Sequence, residues 1–192
     1  MTQHNTFTVI LPAHDEGEAL QQNLPLLLGQ EYSEDYDVVV IDASSADNTP
    51  DVLKQFQSEN SRLYTTFLPK YQYQTHPRRL ALTLGVKAAK GEWLVFLDPT
   101  TALPSEQWLQ ELAANTQAPT QLLTGYINRK NGDVKLRAYD DLSRAAGIIS
   151  KTERWRLSKG GRWKTRLLPG GGYDFIVVKR SLGHDVLKFF EV

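Results

Sequence analysis

The stretch LVFLDPTT, residues 94–101, runs an apolar segment straight into a carboxylate. A buried carboxylate is costly unless something binds it. Asp98 is therefore either a ligand-facing group or the cap of the turn that follows it. The same arrangement occurs twice earlier in the chain. His14, Asp15 and Glu16 follow the apolar FTVILPA, and Asp42, Ser44 and Ser45 follow DVVVI. If these runs are parallel strands of one sheet, their polar ends share an edge, and in open α/β sheets ligands bind beyond the C-terminal strand ends. The spacing alone thus gathers the acids of the N-terminal half around one crevice. Each residue also has a plainer role to weigh. Asp42 is either part of the site or a cap for its loop, and His14 reads as a pocket wall rather than a catalyst. Asp47 reads as structural, bracing its loop through side-chain to backbone bonds. Trp93 and Trp108 read as core rather than ligand platforms.

The elements that must position these groups alternate regularly. FTVIL (7–11), DVVVI (37–41), RLYTTF (62–67) and EWLVFL (92–97) are short, β-branched or aromatic runs that read as buried strands. Between them lie segments with helical spacing. Residues 16–30 carry Leu20, Leu24, Leu27 and Leu28, with Pro25 expected to kink the helix. DNTPDVLKQF offers Asn48 or Thr49 as cap and Pro50 at the first helical position. HPRRLALTLGVKAA (76–89) and PSEQWLQELAAN (104–115) complete the set. Such alternation predicts parallel strands joined by right-handed crossovers, an α/β sheet covered on both faces. After residue 119 the pattern loosens. TQLLTGYIN (120–128) reads as a strand, YDDLSRAAGIIS (139–150) as a helix, and GGGYDFIVVKR (170–180) as a glycine-rich turn entering a strand.

A chain of 192 residues suits one domain with a three-layer core. Its 41% hydrophobic and 23% charged residues are those of a folded soluble protein, and no apolar run approaches the ~18–20 residues of a membrane span. The N-terminus lacks the basic region of a signal peptide. The absence of cysteine removes disulfides, thiolate metal sites and cysteine nucleophiles, and a cytoplasmic location is the expectation. Net charge is zero but unevenly spread. Residues 1–60 hold eleven acids and one base, Lys54, against 21 bases and 11 acids in the remainder. That asymmetry reads either as a basic surface facing an anionic ligand or membrane, or as two solvated faces of one globule.

Three segments together resemble the family 2 glycosyltransferases, which have the nucleotide-sugar-binding GT-A fold. TVILPAHDEGEAL is similar to that family's opening strand and P-A-[YH]-N-E turn. DVVVIDASSADNTPDVL is similar to its V-D-D-x-S-x-D-x-T segment. LALTLGVKAAKGEWLVFLDPT is similar to its Gly- and Ala-rich helix, G-E-[WY] turn and strand ending in Asp-x-Asp. The match runs in order over roughly residues 7–115, and the third segment with EQWLQEL resembles short glycan-assembly transferases of the Bacteroidetes type.

The resemblance implies transfer of a sugar from a nucleoside diphosphate to a glycan or lipid-linked acceptor. Such chemistry needs the pyrophosphate charge neutralised, usually by Mg²⁺ or Mn²⁺ on carboxylates, and a general base for the acceptor hydroxyl. Carried over residue by residue, it places Pro12, Ala13, His14 and Glu16 at the nucleoside and Asp42 at the first Asp of the second motif. Asp98 falls at the first Asp of Asp-x-Asp, facing ribose and metal. Arg78 or Arg79 would meet the base or the phosphates. It also implies one domain over 1–192, with a nucleotide-binding half (1–118) and a shortened acceptor half (119–192).

The sequence departs from the family pattern in three places. Ala43 replaces the second Asp of V-D-D. Thr100 replaces the second Asp of Asp-x-Asp, which puts Mg²⁺ or Mn²⁺ in doubt. LLPGGGYDFIVVKRSL resembles the glycine-rich acceptor segment, but no Glu-Asp pair occurs in the ten residues after it. Asp174, Asp185 and Glu191 are poor replacements for the base, Asp174 being the first to examine. The chain thus reads as a family member cut short, and a remnant that binds a nucleotide or partner without turnover is the rival reading. A nucleotidyltransferase is disfavoured, because PAHDEGEAL stands where its glycine- and arginine-rich loop would be. Residues 151–168 carry seven bases, one acid and two tryptophans. They read as a contact for an anionic membrane face or a lipid-linked acceptor, or as a solvated basic loop. No nucleic-acid motif accompanies the charge, so nucleic acid is not expected.

Overall fold

The computed structural model describes residues 5–69, 77–128, 130–158 and 173–190. Seven strands form one sheet in the order β3-β2-β1-β4-β7-β5-β6. The four apolar runs of the N-terminal half are β1 (Phe7–Ala13), β2 (Tyr36–Asp42), β3 (Leu63–Phe67) and β4 (Trp93–Leu97). They pair in parallel, with β1 between β2 and β4. β1 and β4 are buried along their whole length, as continuous apolar strands of a doubly covered sheet should be.

The period-2 alternation of each strand divides its side chains between two cores. Val9 and Leu11, Val38 and Val40, and Trp93 and Val95 pack on one face. There they meet α1 (Gly17–Leu28), α2 (Thr49–Glu59) and α4 (Trp108–Asn115). Ile10, Val39, Ile41, Leu94 and Phe96 pack on the other, against α3 (Pro77–Ala88), α5 (Leu142–Ser158) and the short α6 (Gly183–Val186). Trp93 and Trp108 are fully buried, so both are core. Gly85 lets α3 lie directly on the sheet, since a Cβ there would stand 2.3 Å from Ile10 Cγ2.

The C-terminal half, where the sequence pattern loosens, adds the antiparallel part of the sheet. β7 (Phe175–Lys179) inserts antiparallel between β4 and β5 (Leu122–Ile127). β6 (Val134–Tyr139) adds an antiparallel edge that the sequence pattern did not suggest. Its burial alternates only weakly, because one face of an edge strand carrying Lys135 and Arg137 meets water. α4 starts at Trp108 rather than at residue 104, and α5 runs past residue 150 to Ser158, taking in the first part of the basic stretch. Residues 159–168 of that stretch and Gly170–Gly172 lie outside the described residues. α1 continues through Pro25, which sits on the solvent side of the helix, where the carbonyl it leaves unpaired can be hydrated.

Candidate donor site at the strand ends

The site is built from two clasped loops, a strand end and a helix start. Register places Ala13 beside Asp42, so the β1–α1 turn and the β2–α2 loop leave the sheet side by side. The Ala43 N–H continues the ladder to the Ala13 carbonyl at 2.8 Å. Beyond that point side chains take over. The Asp15 N–H donates to Ser45 Oγ at 2.9 Å, and Asp15 Oδ1 accepts from the Ala46 N–H at 2.6 Å. Asp47 Oδ2 accepts from the Gly17 N–H at 3.0 Å and its Oδ1 from the Thr49 N–H at 2.9 Å. Asp47 thereby caps both α1 and α2, a role expected of Asn48 or Thr49 at α2; neither makes a side-chain cap bond there. Burial raises the Asp47 carboxyl, but its hydrogen bonds outweigh that and hold it below the usual carboxylate range. Asp15 and Ser44 accept left-handed backbone (φ 55° and 60°) to make these turns. Such conformations in non-glycine residues cluster where loops are fixed by function. Gly17 is required for the clasp, because a Cβ would stand 2.1 Å from Asn48 Oδ1.

The candidate residues then fall into place. Pro12 and Ala13 are the buried last residues of β1. His14 lies on the surface of the turn, with Nδ1–H donating to the Ala43 carbonyl at 2.8 Å and Nε2 3.8 Å from Asp15 Oδ2. Asp42 is buried and its Oδ1 accepts from the Ser45 N–H at 2.9 Å, the geometry of a loop cap. Asp98 is 4% exposed. Its Oδ1 accepts from both the Thr100 N–H (3.0 Å) and the Thr100 hydroxyl (2.6 Å). Its Oδ2 faces Arg78 Nη1 at 3.7 Å. The guanidinium of Arg78 lies 5.9 Å from the centre of the Phe190 ring, within cation–π range. Phe190 was not foreseen as part of the site, since an aromatic near the C-terminal end of the chain carries no signal of which strand end it supports. Arg79 follows on α3, its carbonyl accepting from the Thr83 hydroxyl at 2.8 Å.

Glu16 joins the turn to the strand end. It is half-buried, its Oε2 accepts weakly from the His14 N–H at 3.3 Å, and its own N–H donates to Thr49 Oγ1. Burial, reinforced by the Asp98 carboxylate, pushes its carboxyl up to about 8, against the opposing pull of the His14 N–H and Arg78. At neutral pH Glu16 is therefore largely protonated. Displaced carboxyls of this kind concentrate at functional sites.

Asp174, the candidate base, lies one residue before Phe175, which pairs with Leu97, so it stands near Asp98 in the sheet. It is 3% exposed, and its Oδ2 accepts from the Ile127 N–H at 2.7 Å. That bond serves the β5–β7 junction, a structural use of the carboxylate.

Mg²⁺ and Mn²⁺ prefer six oxygen ligands, with carboxylates supplying the charge. Of the carboxyls at the strand ends, Asp98 has Oδ1 taken by the Thr100 N–H and hydroxyl, Asp42 has Oδ1 taken by the Ser45 N–H, Asp174 has Oδ2 taken by the Ile127 N–H, and burial holds Glu16 largely protonated. Among the described residues no group of three or more His, Asp or Glu side chains could hold a metal. A guanidinium 3.7 Å from the remaining Asp98 oxygen also repels a divalent cation. The described residues at this strand end do not fit a resident metal.

Comparison with known proteins agrees with the architecture. A glycosyltransferase AglE from Haloferax volcanii is 30% identical over 140 residues, 71% of this chain and 44% of the relative. Among solved structures, a mannosyltransferase from Pyrobaculum calidifontis in complex with GDP-Man and Mn²⁺ superposes with a TM-score of 0.62 at 22% identity, covering 96% of this chain and 47% of that one. TarS from Staphylococcus aureus in complex with UDP gives 0.59 at 21% identity, covering 94% and 48%. The chain thus spans about half the length of these proteins, and shares with the solved ones the mostly parallel GT-A sheet. The family described as glycosyl transferase family 2 matches residues 8–186, and the chain belongs to it.

Proposed function

We propose that this chain binds a nucleoside-diphosphate sugar in the crevice at the C-terminal ends of β1, β2 and β4 and transfers the sugar to a glycan or lipid-linked acceptor. One observation carries the reading: two loops locked together by Asp15 and Asp47 hold the strand ends beside an Asp98–Arg78 pair. These bonds hold together three elements far apart in sequence, and preorganisation of this kind lowers the cost of binding. Pro12, Ala13, His14 and Glu16 would line the nucleoside side, Asp42 would hold its wall, and Arg78, Arg79 and Asp98 would face the diphosphate. The chain is read as one domain, with residues 1–118 as the donor half and 119–192 as the acceptor half. The complexes of the two structural neighbours with GDP-Man and UDP support a nucleotide sugar as the ligand.

The basic run at residues 151–168 would meet an anionic membrane face carrying a lipid-linked acceptor. Among the described residues no helix is long and apolar enough to cross a membrane. A second reading, nucleotide binding without turnover, is favoured by Asp174, whose carboxylate braces the sheet. Titration with uridine and guanosine diphosphates, followed by a donor-hydrolysis assay with the matching sugar nucleotides, separates the two. Binding with hydrolysis supports transfer, binding alone supports the second reading, and no binding removes both.

A further inference from the structure

We infer that Arg78, held between Asp98 and Phe190, is the cation that meets the donor diphosphate in place of a divalent ion, so that nucleotide binding is independent of metal. The inference rests on the crevice being the donor site and concerns how its charge is balanced. Four observations carry it. The residue two positions after Asp98 is Thr100, and its hydroxyl is engaged as a donor to Asp98 Oδ1 at 2.6 Å. The other Asp98 oxygen, buried and with no hydrogen-bond partner among the described residues, has the Arg78 Nη1 at 3.7 Å. The guanidinium is braced from a second direction by the Phe190 ring at 5.9 Å, and that ring packs against Phe96 of β4 at 6.0 Å. The Arg78 side chain keeps 27% of its surface exposed, so part of it is open to solvent.

These features are what a fixed cation needs. A guanidinium is always charged, its planar fork matches two phosphate oxygens, and it is weakly hydrated compared with an ammonium. Asp98 and Phe190 limit its rotamers, so little side-chain entropy is lost when the phosphates arrive. Asp98 becomes a positioning residue: it orients Arg78 rather than holding an ion. A metal bound at the same carboxylate would have to displace or approach that guanidinium, and like charge opposes both.

The test is calorimetric titration of the full chain with uridine and guanosine diphosphates, in EDTA and in excess Mn²⁺. The expected result is a dissociation constant that agrees within about twofold between the two conditions. Arg78→Gln should weaken binding in EDTA by about tenfold to a hundredfold, the loss of one charge-assisted contact. Arg78→Lys should fall between them, since it keeps the charge and loses the fork. Thr100→Asp should weaken binding in EDTA by adding a negative charge, and should make it respond to Mn²⁺. Binding by the unmodified chain that tightens about tenfold or more in Mn²⁺ overturns the inference while leaving the donor site standing. So does an Arg78→Gln chain that binds like the unmodified one in EDTA. Should Arg78→Gln fail to fold by circular dichroism, the metal comparison on the unmodified chain and Arg78→Lys decide the matter. Absence of nucleotide binding in every condition overturns the donor-site reading and this inference with it.

Discussion

Replacing Glu16 by glutamine should stabilise the protein, and the gain should grow with pH. The carboxyl of Glu16 is pushed from 4.5 up to about 8 by burial first and then by Asp98. Between those two values the folded chain holds a proton that the unfolded chain has released, so stability falls as pH rises through that interval and levels off above it. At ~1.4 kcal/mol per tenfold change in proton activity, the interval from 4.5 to 8 sets a ceiling of about 5 kcal/mol. Glu16 keeps partial contact with water, and screening brings the expected effect to about 1–3 kcal/mol. Glutamine stays neutral throughout and can still accept from the His14 N–H. Urea unfolding of both chains at about pH 5, 7 and 9 reads the difference directly. The variant's advantage should be smallest at the acid end and largest at the alkaline end. Adding Asp98→Asn, which removes the second cause of the shift, should narrow it. A difference that does not change with pH, or one that shrinks as pH rises, refutes the assignment of a buried, protonated Glu16.

The remaining expectations concern the scaffold. Asp47→Ala removes the acceptor for both the Gly17 and Thr49 N–H groups and should cost about 1–2 kcal/mol in denaturant unfolding, with nucleotide affinity falling as the clasp loosens. Gly125→Ala would place a Cβ 2.0 Å from Cζ of Phe175, which is fully buried against Trp108 at 5.0 Å between ring centroids. Overpacking of about 1–3 kcal/mol or more should appear as a lowered melting temperature. Asp174→Asn keeps an oxygen for the Ile127 N–H, so donor hydrolysis and stability should change little if its role is bracing. A loss of hydrolysis of about a hundredfold or more in a folded chain would make it the base.

The N-terminal half of the fold was legible because each element there is specified locally. DVVVI and LVFL read as buried strands from their length and β-branched or aromatic content, and Pro50 and the leucine spacing of residues 20–28 set helix starts and faces. The strand-end acids were legible for the same reason, since each follows an apolar strand run directly and the sheet rule sets such ends on one edge. What was not legible depends on partners distant in sequence. β6 is stabilised by pairing with β5, not by a period of its own, and so VKLRAY gave no strand signal. β7 reverses direction beside β4, which no local pattern encodes. At the site, residue types could not say that Asp47 would brace two helices, that Thr100 would turn its hydroxyl onto Asp98, or that Phe190 would come under Arg78 from the far end of the chain. Asp42 illustrates the limit: the sequence allowed site or cap, and the Ser45 N–H gives the cap a defined geometry.

The central claim is that a nucleoside diphosphate occupies the opening between the clasped loops and the β4 end. Backbone amide chemical-shift mapping on the full chain, titrated with uridine and then guanosine diphosphate, tests it most directly. The account predicts the largest saturable shifts at Ala13–Glu16, Ala43–Ser45, Arg78 and Asp98–Thr100, with residues 120–150 little affected. Saturable shifts confined to residues 120–150, with the strand-end amides unmoved, would contradict it.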